Sequence, residues 1–93
     1  MTTTVAANED ESRYEIVVDD ELAGFSEFTA HGDVLTFTHT EVFPEFGGQG
    51  LATTLVREAL DDVRAKGLRI HATCPFVRAF LQKHPEYQDL IAN

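Results

Sequence analysis

"EFGGQGLATTL" (residues 45–55) sets three glycines within four positions directly before an apolar helical pattern. From there Leu51, Ala52, Leu55, Val56, Ala59, Leu60 and Val63 recur at one-turn spacing, while Arg57, Glu58, Asp61, Asp62 and Arg64 fall largely off that stripe. The spacing predicts an amphipathic helix of about four turns. Gly67 stands where a left-handed C-terminal cap belongs.

Upstream, "VLTFTHTEVF" (34–43) has the strongest β-branched and aromatic content in the chain. "RYEIVV" (13–18), the turn "DDE" and "LAGFSEFTA" (22–30) read as a hairpin, and "HGD" turns the chain again into 34–43. Downstream, "LRIHATC" (68–74) is a short strand, so the helix is a crossover between two parallel strands. Pro75 suits the first helical position of "PFVRAFLQKH", where Phe76, Val77, Phe80 and Leu81 form a second stripe, and Pro85 starts a last short helix through Leu90. The expected order is β-β-β-α-β-α, a mixed sheet in the α/β (α+β) class. "MTTTVAANEDES" is acidic and short of apolar anchors, so residues 1–12 read as a flexible lead-in and 13–93 as a single domain.

The 93 residues have the length of one small domain with a single core. A formal charge of −9 argues against nucleic acid, whose phosphates such a surface repels. Residues 1–45 hold eleven acids against one base, Arg13, whereas residues 46–93 hold five acids against six bases. The first half suits a cationic partner and the second tolerates an anionic ligand. The lone Cys74 excludes an intrachain disulfide, and no N-terminal stretch resembles a secretion signal or a membrane span, so a cytoplasmic protein is expected. His31, His71 and His84 lack ligand spacing and cysteine partners, so no metal is expected.

Free amides at a helix start carry partial positive charge, and glycines let a ligand approach the main chain without meeting Cβ atoms. The run at 47–50 is thus either an anion site or a flexible turn. The GK[ST] ending of a triphosphate loop is missing, because Leu51 and Ala52 follow Gly50, and the GxGxxG spacing is absent.

"FPEFGGQGLA" after "HTEVF" resembles the acyl-CoA loop of the GNAT superfamily of N-acetyltransferases, whose motif is Arg or Gln, two residues, Gly, one residue, then Gly or Ala. "CPFVRAFLQKHPEYQDLI" after the next strand looks like a small, minimal branch of that superfamily, and together the segments span roughly residues 13–92. The resemblance implies a minimal GNAT fold with the glycine-rich loop opening the central helix. It implies acetyl-CoA (coenzyme A) bound as cosubstrate, its pyrophosphate on the amides around Gly48, Gln49, Gly50, Leu51 and Ala52. Pantetheine would run beside the backbone of Val42 and Phe43, where two parallel strands splay. Gly47 occupies the Arg or Gln position and departs from the motif; Gln49 is a substitute amide.

Acetyl transfer to an amine needs a base for the amine, polarisation of the thioester and a proton for the departing thiolate. Strict alternation along 34–43 places Leu35, Phe37, His39, Glu41 and Phe43 on one face, unless a bulge intervenes. His39 is a candidate base, and Glu41 either orients it or acts through water. Cys74, between a strand end and Pro75, either accepts the acyl group or lines the thioester pocket. Tyr87, by the same resemblance, either protonates the thiolate or anchors the C-terminal turn. The expected activity is acetyl or short-acyl transfer to an amine of a small-molecule or peptide acceptor, the alternative being a non-catalytic acyl-CoA-binding or sensing module. The extra helices that wall the acceptor site in fuller members have no counterpart here, so that side is either open or walled by a second subunit, in a monomer or homodimer.

Overall fold

The computed structural model describes residues 2–92. Its strands are β1 (Thr3–Asn8), β2 (Arg13–Val18), β3 (Glu21–His31), β4 (Val34–Val42) and β5 (Arg69–Ala72), with helices α1 (Leu51–Ala65) and α2 (Pro75–Lys83). Short 3₁₀ helices occupy Pro44–Phe46, one turn, and Pro85–Leu90, two turns. The sheet order is β1-β2-β3-β4-β5, antiparallel except for the parallel β4–β5 pair that α1 connects.

The strands at β2 to β5 and both helices follow the sequence expectation, and residues 1–12 correct it. Thr3–Asn8 is not a flexible lead-in but an edge strand, paired with β2 from Thr3↔Val18 to Asn8↔Arg13. A backbone ladder needs no apolar side chain to form, and here two small ones, Val5 and Ala7, also pack against the core. Asn8 accepts the Glu11 amide on its side chain and Ser12 adopts φ 52°, which closes the β1–β2 turn. At the strand's other end Thr2 exchanges hydrogen bonds with Asp19, whose left-handed φ of 48°, beside Asp20 at 70°, makes the β2–β3 turn.

Two bulges bend the sheet. Ala23 is an extra residue between the pairs Ile16↔Gly24 and Val17↔Leu22, and Thr38 is an extra residue between Phe28↔Phe37 and Glu27↔His39. Gly24 follows from close packing, because a Cβ there would collide with the Glu41 carbonyl oxygen and lie 3.0 Å from Val42 Cα.

Both helices lie on one face. Tyr14, Ile16, Val18, Leu35, Phe37 and Ile70 point from the sheet toward the α1 stripe and toward Val77, Phe80 and Leu81 of α2, forming one core. The α1 stripe is as expected except that Ala52 is only half-buried. Tyr14 hydroxyl donates to Asp62 at 2.7 Å, tying sheet to helix. After α1, Gly67 takes φ 71°, and the amides of Gly67 and Leu68 donate to Arg64 and Val63, closing the helix end. Ile91 bridges to Ile70, and the Ala92 amide donates to the Ile70 carbonyl, so the chain returns along the outer edge of β5. The opposite face of the sheet is covered by neither helix.

Candidate functional site

Beyond β4 the chain makes the 3₁₀ turn at Pro44–Phe46, and the Gly47 amide donates to the Pro44 carbonyl at 3.1 Å. Gly48 and Gly50 then take left-handed φ values of 79° and 70°, and Gly50 becomes the N-cap of α1. A glycine cap supplies no side-chain acceptor, and the first turn holds no acidic residue. The first helical bond is Thr54 N–H to Gly50 O, at 3.2 Å. The amides of Leu51, Ala52 and Thr53 therefore have no acceptor within the helix.

These groups border a cavity of about 250 Å³ lined by Val42, Phe46, Gly47, Gly48, Gly50, Leu51, Ala52, Thr53 and Phe76. A Cβ on Gly48 or Gly50 would meet no atom within 4 Å, so at both positions it is the backbone conformation, not crowding, that calls for glycine. Six of the eight residues expected to hold the nucleotide line this cavity; Phe43 and Gln49 do not. The Phe43 amide donates to Ala23 at 2.8 Å, and its ring sits edge-on to Phe25, 6.1 Å away. Phe46, Thr53 and Phe76 are additions. Thr53 was recognisable as the third residue of the helix, whose amide is always free. Phe46 and Phe76 carry no such mark, since only the fold brings α2 beside the loop. A larger cavity of about 590 Å³ between β1 and α1 is lined by Glu9, Glu58, Asp61 and Asp62 with only Lys66 as a cation, a net negative charge that repels phosphate.

The strands part beside this loop. Parallel pairing ends at Phe37↔Ala72, where the Phe37 carbonyl accepts both the Thr73 and Cys74 amides at 3.0 Å. The chain then leaves into α2, while β4 continues through Val42 without β5 alongside. Cys74 caps α2 at the mouth of this gap, 3% exposed, its thiol directed to Thr40 Oγ1 at 3.4 Å. Thr40 Oγ1 in turn lies 2.9 Å from Ser26 Oγ, a fully buried hydroxyl.

Thr38 decides where the other candidates lie. Ahead of it, alternation turns Leu35 and Phe37 into the core, and the extra residue then reverses the pattern, so that Thr40 is inward and His39 and Glu41 are outward. The expectation that His39 and Glu41 share a face with Leu35 and Phe37 is thus corrected. His39 Nε2 lies 3.2 Å from Glu41 Oε1, with side chains 54% and 47% exposed. The pair and Cys74 therefore belong to opposite faces of one strand.

Tyr87 is elsewhere. Its hydroxyl donates to Asp61 at 2.7 Å, and its ring packs on Phe80 at 5.5 Å. Burial, reinforced by the bond to Asp61, raises its pKa. Asp61 is ten residues along α1 from Leu51, about 15 Å at the helical rise. Tyr87 thus anchors the C-terminal turn and is not brought together with His39, Glu41 or Cys74. Among the described residues no group of three His, Cys, Asp or Glu is placed to hold a metal, and no helix is long and apolar enough to cross a membrane.

A family model described as GCN5-related N-acetyl-transferase matches residues 13–90. Protein NATD1 of Bos taurus is 36% identical over 52 residues, 56% of this chain and 46% of that protein, and the human NATD1 is 33% identical over 52 residues. The matched segment spans about half the length of these curated relatives. Among solved structures, a GCN5-like protein from Staphylococcus aureus superposes with a TM-score of 0.71 at 24% identity, covering 97% of this chain and 88% of that one. The PaiA N-acetyltransferase of Thermoplasma acidophilum, solved in complex with coenzyme A, superposes with a TM-score of 0.59 at 20% identity, over 76% of this chain and 48% of that one. These superpositions carry the fold.

Proposed function

The chain belongs to the GCN5-related N-acetyltransferase family, and from that premise we propose that it transfers an acetyl or short acyl group from coenzyme A to an amine. One observation carries the reading: an uncapped helix start with left-handed Gly48 and Gly50 opens onto a cavity beside the parting of β4 and β5. Anions are stabilised at such a start by the amides and by the helix dipole. The coenzyme A complex of the Thermoplasma acidophilum neighbour supports the same ligand. In this reading the amides of 48–53 hold the pyrophosphate, and Val42, Phe46 and Phe76 flank the pantetheine arm.

The thioester then points into the gap between Thr40 on β4 and Cys74 at the head of α2. Cys74 lines the pocket and is not an acyl carrier: its thiol is buried and already directed to Thr40. The amine comes from the outer face, where His39 is the base and Glu41 its orienting partner. With Nε2–H donated to Glu41, Nδ1 is left to take the amine proton as nitrogen attacks the carbonyl carbon. The thiolate leaves on the Cys74 side, and its proton comes from solvent.

Isothermal titration with acetyl-CoA is the direct test. Saturable binding, followed by acyl transfer to an amine panel, is expected; no heat at millimolar acetyl-CoA sinks the proposal, and binding without turnover leaves a sensing module instead. Cys74→Ser is expected to stay active and His39→Gln to lose the acidic limb of its pH profile, where protonation switches off a base.

A further inference from the structure

The face of the sheet that no helix covers is not a neutral solvent face. Strand register places Glu15 opposite Phe25, Phe25 opposite Glu41, Arg13 opposite Glu27 and Glu27 opposite His39. The Phe25 ring lies 6.0 Å from His39 and 6.1 Å from Phe43. One cation already sits in this setting: the Arg13 guanidinium lies 4.6 Å over the Phe25 ring and pairs with Glu15 at 2.8 Å. Glu27 has no cationic partner among the described residues, and Glu41 has only His39. Around Phe25 three carboxylates thus meet one guanidinium, while Arg69 and His71 lie on the same face farther off, on β5. The stretch 1–45, which builds all four antiparallel strands, carries eleven acids against one base, so the surrounding field has the same sign.

We propose that this face docks the acceptor, and that the acceptor is a lysine side chain carried by a basic polypeptide segment. The inference rests on the acyl-CoA reading above and specifies its second substrate. An exposed ion pair contributes only about 0–1 kcal/mol and an exposed cation–π contact about 0.5–1 kcal/mol, so a single ammonium gains little here. A segment laid across the strands adds several such contacts together. Small ligands are held by concave sites, and this face is open and unwalled, which favours the polypeptide over a free amine. Glu27 and Glu15 receive flanking basic residues, and the Phe25–Phe43 edge with Glu41 receives the lysine that reaches His39.

Docking and turnover are measured separately. Fluorescence anisotropy of two labelled lysine peptides of equal length, one flanked by Lys and Arg and one by Glu, reads docking with or without acetyl-CoA. The basic peptide is expected to bind at least about tenfold tighter, with an affinity that falls with salt. Glu27→Lys is expected to raise Kd and KM for the basic peptide about tenfold while leaving the acetyl-CoA Kd unchanged. Equal binding of the two peptides, no effect of Glu27→Lys, or turnover of spermidine in preference to the basic peptide overturns the proposal. Those failures with intact acetyl-CoA binding leave the acyl-CoA reading standing, whereas peptide docking without acetyl-CoA binding would sink that reading and keep the surface.

Discussion

Two glycines with different geometry give opposite expectations at the level of single residues. At Gly24 an added Cβ meets backbone atoms, the Glu41 carbonyl and Val42 Cα, and neither can swing aside as a side chain would. Gly24→Ala therefore has to separate β3 from β4, and a loss of about 1–3 kcal/mol is expected in urea unfolding. At Gly47 the backbone is ordinary, φ −66°, and the only near atom is Pro44 O at 3.3 Å. Gly47→Ala is expected to change stability by less than about 1 kcal/mol, because the chain loses unfolded freedom while the Pro44 carbonyl gives slightly. The departure from the Arg or Gln of the motif thus leaves room for a side chain, and nothing steric in the fold demands glycine there.

At the level of elements, α1 is a structural strut and also half of the proposed ligand site, and the two roles can be set against each other. Ala52 lies in its first turn, half-buried, beside free amides. Ala52→Asp places a carboxylate where the dipole favours it, so thermal stability should hold or rise by up to about 1 kcal/mol. The same carboxylate competes for the amides proposed to hold pyrophosphate, so acetyl-CoA affinity should fall about tenfold or more, as read by titration calorimetry. Unchanged acetyl-CoA affinity would mean that the helix start is structural only. The stripe of α1, its glycine cap and the β4–α1–β5 crossover were legible because they rest on local spacing and on residues with special backbone freedom. The bulge at Thr38 was not, since an extra residue exists only relative to Phe28 and Glu27 across the ladder. That one residue moved His39 and Glu41 to the outer face. β1 was hidden for a related reason, because its ladder to β2 uses backbone groups that every sequence has. Phe76 reached the loop only through the packing of α2.

For the whole molecule, the contacts that tie sheet and C-terminal turn to α1 are titratable. Burial, the hydrogen bond to Asp62 and the neighbouring negative charges of Asp62 and Glu9 push the Tyr14 phenol well above its ordinary value of 10.0. A folded pKa above the unfolded one stabilises fully below about pH 10 and is lost as pH rises beyond it. For Asp62 burial acts upward, but hydrogen bonds from Lys66 and Tyr14 outweigh it and hold the carboxyl below its ordinary 3.8. That contribution is present above about pH 4 and is lost as pH falls through the folded value. Asp89, held low chiefly by Arg64, acts in the same direction. Melting temperature should therefore be level between these limits and fall on both sides. Tyr14→Phe should flatten the alkaline limb and also shrink the acid limb, because Asp62 loses one of the hydrogen bonds that hold it low; an unchanged alkaline limb would assign it to other groups.

The single parallel pairing in the sheet has a consequence for the order in which the protein assembles. β1 to β4 are joined by tight turns and close through short loops, so they can zip from neighbour to neighbour. β5 meets β4 only after the whole of α1 has been laid down, and that closure carries the larger entropy cost. The seam between β4 and β5 is therefore expected to form last. Amide hydrogens of β5 and the head of α2 are expected to exchange ahead of those in β2 and β3, and slower exchange in β5 than in β2 would overturn that order. If the exchange order holds, the gap beside Cys74 lies at the seam that yields first, so in the proposed acyl-transfer reading it can widen for an acyl chain while the meander stays intact.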